Sequence, residues 1–299
     1  MLLIIDSDCK LSKQQAPCVF FHYSKYTRDP SKCAFPSILG ICYTFCSLIF
    51  YVFETIMKYL LGALLSVSLL SVSLSLQAQA PDFAHMKDVK AKQAAFFNYL
   101  LPFIGQANKK ISAQREKIIQ AHQTWQAKHS LSSQQTTWLK ATARHYHLTK
   151  FDDTVEKDWQ ALLSRVDTVP PSMVLAQAAN ESAWGSSRFA RVAQNYFGQW
   201  CYSKGCGVVP SRRAKGAHHE VKRFDSPLAS VMSYMYNLNA NTNYALFREL
   251  RFRARQQHDA LKGTVLARGL VNYSERRGAY VKSIQSMIRV HHLEKYDVA

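Results

Sequence analysis

Acidic residues are scarce in this chain: 20 Asp and Glu stand against 38 Lys and Arg, a formal net charge of +18. Residues 1–56 together with Lys58 account for six of those bases and four of the acids, which leaves the remainder at net +16. An excess of that size suits an anionic polymer or membrane surface, or else makes a basic, well-solvated exterior. Nucleic acid is the usual partner read from such a balance, but the chain carries no recognition motif for it. Cysteine is scarce where it would count. Five of the seven (Cys9, Cys18, Cys33, Cys42 and Cys46) fall in residues 1–56 without metal-site spacing, and only Cys201 and Cys206 lie beyond. Strand-forming sequence is scarce too, with one convincing region at residues 199–224. Apolar residues, by contrast, fill 47% of the 299 positions, ample for a core in one or two domains.

Met57-Lys58 opens what reads as a complete export signal. An apolar run over residues 59–76 is followed by Ala78-Gln79-Ala80. Pro81 hinders cleavage directly after Ala80, so cleavage after Ala78 is the alternative. A signal 56 residues inside a chain is mechanically odd. The expected explanation is translation from Met57, with residues 1–56 an upstream reading extension. The rival is a membrane hairpin of residues 38–53 and 59–76, both near the lower length limit for a span. On either reading the rest leaves the cytoplasm, and membrane contact is limited to the signal or an uncleaved anchor. In an oxidising compartment Cys201 and Cys206, close together in CYSKGC, are expected to form a short-loop disulfide. The alternatives are free thiols or zinc, for which His218 and His219 are near but no further cluster completes a site.

Residues 81–168 read as helices. Val89, Phe96, Phe97, Leu100 and Leu101 form an apolar stripe that Pro102 is expected to end. Ile111, Ile118, Ile119 and Trp125 continue at helical spacing. Ser132 or Ser133 can cap a helix carrying Trp138 and Leu139. Residues 153–166, with Trp159, Leu162 and Leu163, lead up to a pair of prolines. Residues 81–149 are thus expected to be a helical extension that braces a domain at 150–299.

The stretch 169–200 organises that domain. Pro170 and Pro171 suit a helix start, and Gly185 stands where a left-handed C-terminal cap is expected. Glu181 then lies in the last turn, where the negative end of the helix dipole disfavours a carboxylate. Gln177 and Trp184, four before and three after, are expected on the same face. An indole beside a carboxyl favours the protonated acid, which is what donating a proton to a glycosidic oxygen requires. The bland alternative is an exposed acid at a helix end.

Glu181-Ser182-Ala183-Trp184-Gly185-Ser186-Ser187, followed by Asn195-Tyr196-Phe197-Gly198, resembles the signature of bacterial peptidoglycan N-acetylglucosaminidases, glycoside hydrolase family 73. The resemblance covers roughly residues 150–295. It implies a mainly α, lysozyme-like α+β fold with a small β-hairpin lobe, here with an N-terminal helical extension. It also implies hydrolysis of β-1,4 bonds in peptidoglycan glycan strands, with no metal or cofactor, in the periplasm. Glu181 is carried over as the general acid, and Trp184, Asn195, Phe197 and Gly198 as substrate-binding residues. The family's β-lobe often supplies a second carboxylate. Here Glu220 is the only acid between Cys206 and Phe224, and it falls on the returning strand, where a surface strand residue is the alternative. Tyr273-Ser274 and Gly278-Ala279-Tyr280 resemble the family's tyrosine-bearing segment with one extra residue. Tyr273 is the tyrosine expected to line the cleft; Tyr280, on the apolar side of a helix with Val281, Ile284 and Ile288, is a second substrate-binding candidate or core.

Asp225-Ser226-Pro227 restarts helix, with Val231, Met235 and Leu238 inward. In the next helix Arg248, Arg251 and Arg255 share one face, expected to be solvated or to meet an anionic polymer. Two other functions fit a single-glutamate cell-wall protein. A lytic transglycosylase is one, though the Gly-Leu-Met-Gln-like stretch usual there is absent. A non-catalytic wall-binding protein that keeps the fold is the other.

Overall fold

The computed structural model describes residues 55–59, 80–211, 213 and 215–297. Apart from the helical residues 55–59 and from Ala80, the expected export signal and the rival hairpin lie outside the described residues. The chain divides into two compact units, 1–78 and 79–299. Everything below concerns the second. No helix among the described residues is long and apolar enough to cross a membrane.

Helix α1 (Val89–Lys128) is one continuous element of 40 residues, roughly 60 Å long at 1.5 Å per residue. Asp88 caps it, accepting from the N–H groups of Lys90 and Ala91. Pro102 does not end it, contrary to expectation, but lies inside it on an exposed side. The carbonyl that loses its partner there belongs to Asn98, which is also exposed. Packing holds the helix through that point: Phe96, Leu100, Ile104 and Ala107 are fully buried on either side of the proline. Val89 is exposed, so the apolar stripe starts at Phe96.

Helix α2 (Ser133–His145) starts with a capping box, Ser132 accepting from Gln135 N–H while the Gln135 side chain accepts from Ser132 N–H. Helix α3 (Glu156–Arg165) buries Trp159 and Leu162. Helix α4 (Pro171–Ser182) begins at the second proline and is buried on nearly every side. Helix α5 (Arg188–Ala193) follows, capped by Ser187. A three-stranded antiparallel sheet comes next, with β3 (Glu220–Lys222) between β1 (Trp200–Cys201) and β2 (Gly207–Val208). Its register sets Trp200 against Val221, Cys201 against Glu220, and Gly207 against Lys222. At Gly207 a Cβ would fall 2.0 Å from the Val221 carbonyl oxygen, so only glycine admits this approach. Helices α6 (Pro227–Ala240), α7 (Ala245–Gln256), α8 (Gly263–Leu266) and α9 (Gly278–Val290) complete the unit, with short 3-10 turns between them and after α9.

The fold is mainly helical with one small sheet, as expected. Helix α1 packs along α6, α4 and α3. Its buried residues share one hydrophobic core with Leu175, Tyr234, Phe247 and Ile284.

The arginine face of α7 departs from expectation. Arg248 and Arg251 are buried, 5% and 0% exposed, rather than solvated or free to meet a polymer. The reason is a shortage of donors for carbonyls near helix ends. Arg248 donates to Leu238 and Asn241 carbonyls, and Arg251 to those of Ser164, Asp167 and Thr168. Arg255 reaches the Asp167 carboxylate at 3.0 and 3.1 Å.

Candidate active site

Glu181 is the penultimate residue of α4 and half-buried. The helix stops one residue later because Ala183 turns left-handed, two positions before the glycine expected to cap it. Trp184 and Gly185 also have positive φ. The fully buried Ser182 ties this turn: its hydroxyl donates to the Ala178 carbonyl at 2.6 Å and accepts from Gly185 N–H at 2.8 Å. The Glu-Ser-x-x-Gly pattern is thus a sharp helix exit that leaves the glutamate at the rim. Gly185 is required twice, by its φ of 75° and because a Cβ would meet the Phe83 ring at 2.5 Å.

The same exit corrects the placing of Trp184. With the helix ended at Ser182, Trp184 no longer shares a helical face with Glu181. Its indole packs edge-on to Phe96 and Phe97 of α1 and to His291, with ring centroids 5.1–6.2 Å apart.

Gln177, four residues before Glu181, does face the site, and it connects α4 to two other helices. Tyr234 of α6 donates its hydroxyl proton to Gln177 Oε1 in a short hydrogen bond. Gln177 Nε2 donates to Tyr280 Oη of α9 at 2.9 Å, and Tyr280 donates to Glu181 Oε1 at 2.8 Å. Asn180 donates to the same oxygen at 3.0 Å. The relay is directional and fully matched, which orients the amide and polarises each bond in turn. Burial pushes the Tyr280 hydroxyl far above the ordinary tyrosine range, and the neighbouring Glu181 pushes it the same way. The Tyr234 and Tyr273 hydroxyls are raised by burial too. All three remain protonated donors at any ordinary pH.

Tyr273 stacks on Tyr280, rings 5.4 Å apart and 10° from parallel. Its hydroxyl donates to the Phe197 carbonyl at 2.9 Å. It is half-buried, whereas Tyr280 is 2% exposed. The tyrosine bonded to Glu181 is therefore Tyr280, and Tyr273 lies beside it against the 197–198 loop.

That loop lies against the other side of the carboxylate. Both hydrogen bonds to the Glu181 carboxylate fall on Oε1, while Oε2 faces Gly198, where a Cβ would sit 3.9 Å away. Gly198 has a φ of 65°, which favours glycine. Asn195 and Phe197, expected against substrate, are instead buried, each 2% exposed. Asn195 holds the turn from inside: Nδ2 donates to the Gln199 and Lys222 carbonyls, and Oδ1 accepts from Phe197 and Gln199 N–H. Phe197 stacks on Tyr234 at 4.1 Å. The Asn-x-Phe-Gly pattern thus shapes the loop that presents Gly198.

Glu220 is 5% exposed on β3. Its two carboxylate oxygens accept from the backbone N–H groups of Gly205 and Gly207, at 3.0 and 2.8 Å. Those two bonds, with help from Arg213 and Lys204, hold its carboxyl below the usual range. Cys201 and Cys206 are disulfide-bonded, closing the loop that Glu220 clamps. The carboxylate and the two sulfurs cluster tightly enough to suggest a metal, but the sulfurs are bonded to each other.

A family model described as Glucosaminidase, mannosyl-glycoprotein endo-beta-N-acetylglucosaminidase, matches residues 156–293, the span that carries every residue of this site. Protein bax of Escherichia coli (strain K12) is 32% identical over 200 residues, covering 67% of this chain and 70% of that one. The chain belongs to the Bax-like glucosaminidase family. No solved structure matches it. The family model starts at the first residue of α3, and the match to Bax is longer than that segment. As a Bax-like glucosaminidase the chain is a glycoside hydrolase, in a group whose activity is degradation of peptidoglycan.

Sequence reading missed Tyr234. Its place in a run with Val231, Met235 and Leu238 is the pattern of a helix core, and its polar end carries no local signal.

Proposed function

We propose that this glucosaminidase hydrolyses the β-1,4 bond on the reducing side of N-acetylglucosamine in peptidoglycan, with Glu181 as general acid. The observation that carries the proposal is the one-sided support of the Glu181 carboxyl. Oε1 is held by Tyr280 and Asn180, and Oε2 is left toward the Gly198 loop, where a glycosidic oxygen could meet it. The proton on Glu181 passes to that oxygen as the C1–O bond breaks. The substrate's acetamido carbonyl oxygen forms the compensating bond to C1. Water then opens this ring and returns a proton to Glu181. Tyr273, half-exposed beside the acid, positions the acetamido group or the water, and the buried Tyr280 holds the acid itself.

Substrate assistance is favoured over a two-carboxylate route because Glu220 has both oxygens committed to backbone N–H groups. A cell-envelope location follows from the family, and we place the mature protein in the periplasm after export. Peptidoglycan glycan strands are its partner, and the excess of basic charge suits that anionic polymer.

The test is Glu181→Gln, which keeps shape and hydrogen bonding but removes the transferable proton. Release of reducing ends from purified sacculi should fall at least ~100-fold with an unchanged melting curve. Mass spectrometry of the parent's products should find reducing glucosamine ends. Anhydro-muramic ends would make the enzyme a lytic transglycosylase, and a Glu181→Gln protein as active as the parent would sink the assignment of the acid.

A further inference from the structure

The β-lobe exposes an aromatic surface that the reaction at Glu181 does not use. Trp200, the first residue of β1, is 55% exposed. Its indole lies flat against His219, with ring centroids 4.0 Å apart and planes 16° from parallel. One face of the indole is covered, and the exposure belongs to the rest. Burying a large exposed aromatic that is already held in place returns hydrophobic free energy at little cost in side-chain entropy.

The holding is unusually complete. The β1–β3 pairing fixes Trp200 opposite Val221, two residues from His219. Cys201, next in the chain, is tied to Cys206 by the disulfide. Glu220, next to His219, clamps the N–H groups of Gly205 and Gly207. The His219 carbonyl accepts from Arg213 at 3.2 Å. Disulfide, carboxylate clamp and sheet together fix the two backbones that carry the stacked rings.

Position decides the ligand. Trp200 follows Gly198 by two residues, so their Cα atoms are at most roughly 7 Å apart. Gly198 is the residue that faces Glu181 Oε2. The Trp200 backbone therefore lies beside the loop that faces Glu181, near enough to serve a neighbouring sugar rather than the bond that is cut. A pyranose ring presents a face of C–H groups, and an indole presents an electron-rich face that attracts them.

We propose that Trp200, braced by His219, is a stacking platform for an N-acetylhexosamine ring of the glycan strand next to the cleavage point. The proposal rests on the reading of Glu181 as the acid of a glycan hydrolase, and deepens it by naming a determinant of glycan binding. Stacking a sugar away from the scissile bond binds ground state and transition state alike. It should therefore act on KM and leave kcat alone.

The experiment compares the parent with Trp200→Ala and Trp200→Phe as full chains. Steady-state kinetics are run on sacculi and on a soluble β-1,4 N-acetylglucosamine oligomer, with thermal melts beside them. Trp200→Ala should raise KM about tenfold, the equivalent of about 1.4 kcal/mol. Its kcat and melting curve should stay at the parent's values, and Trp200→Phe should recover most of the loss. A second readout uses Glu181→Gln protein, which binds without turnover. Adding the oligomer should change its tryptophan emission, and the change should disappear in the Glu181→Gln/Trp200→Phe double variant. Parental KM in Trp200→Ala, or a loss confined to kcat, overturns the platform. So does an emission change that survives in the double variant. The two readings fail separately: a parent that releases no glucosamine ends removes the proposed reaction, while oligomer binding through Trp200 is still decided by fluorescence.

Discussion

Tyr280 and Tyr273 are seven residues apart, stack on each other, and do different things. Tyr280 is the only tyrosine with a hydrogen bond to Glu181 among the described residues, and Gln177 and Tyr234 hold it from behind. Tyr280→Phe removes the donor while keeping the ring that stacks on Tyr273. The Glu181 carboxylate loses one of its two supports, and Gln177 Nε2 loses its acceptor in a buried place. Hydrolysis of sacculi should drop by about tenfold or more, and stability by about 1–2 kcal/mol for the orphaned amide. Tyr273→Phe breaks only the bond to the Phe197 carbonyl, at the half-exposed side of the pair. Its effect should appear in the chemical step with little change in the melt. Parallel kinetics and thermal melts separate the two. Equal melting points for both variants would show that the relay behind Glu181 does not carry the load described. This division of labour was not legible in the sequence. Gln177 and Glu181 sit four apart on one helix, so their shared face could be read. The partner tyrosines come from 57 and 103 residues away from Gln177, and only tertiary packing brings them in.

Among elements, the β-lobe shows how local chemistry reads well and placement reads poorly. The strand-forming region at residues 199–224 and the close cysteine pair were both visible as patterns. The sequence could not show that Glu220 turns inward to bind two glycine N–H groups, because an acid on a short strand looks the same in either orientation. Likewise Pro102 signals a helix end by its missing N–H, and only the buried residues flanking it explain why α1 runs on. For the lobe three outcomes are expected. Thiol labelling of the denatured, unreduced protein should find neither Cys201 nor Cys206. The closed loop is short, so reduction should lower stability by only about 2 kcal/mol, and its larger effect should be on KM through the loosened Trp200 platform. Glu220→Gln should leave kcat within about threefold of the parent. A loss as deep as that of Glu181→Gln would instead return Glu220 to the chemistry as a second carboxylate.

Across the whole molecule one buried carboxylate joins parts that the sequence presents as separate. Asp167 lies between α3 and α4, 1% exposed, on the approach to the helix that carries Glu181. Arg115 of α1 is 3.6 Å from it, and Arg251 and Arg255 of α7 are 3.9 and 3.0 Å away. Arg115 also donates to the Leu163 and Val166 carbonyls. Helix α1 is thus locked to α3, α4 and α7 by charge as well as by the shared core. Burial alone would raise the Asp167 carboxyl, but Arg251, Arg255 and Arg115 outweigh it and hold the group below its ordinary value of 3.8. Asp167→Asn keeps the shape and leaves three guanidiniums around a neutral amide, two of them largely buried. Breaking a buried ion network from one side costs about 3–5 kcal/mol, which for a chain of this size lowers the melting temperature by roughly 10 °C. The sign of the pH dependence follows from the depressed folded value. The stabilisation is fully present above the unfolded value of 3.8 and is lost as pH falls through the lower, folded one. The gap between parent and Asp167→Asn melting curves should therefore be constant from neutral pH down to about 5 and close only in more acidic solution. Glycan hydrolysis per folded molecule should match the parent, since Asp167 touches neither Glu181 nor its relay. A gap that widened on acidification would show that burial, and not the three arginines, sets the state of this carboxyl.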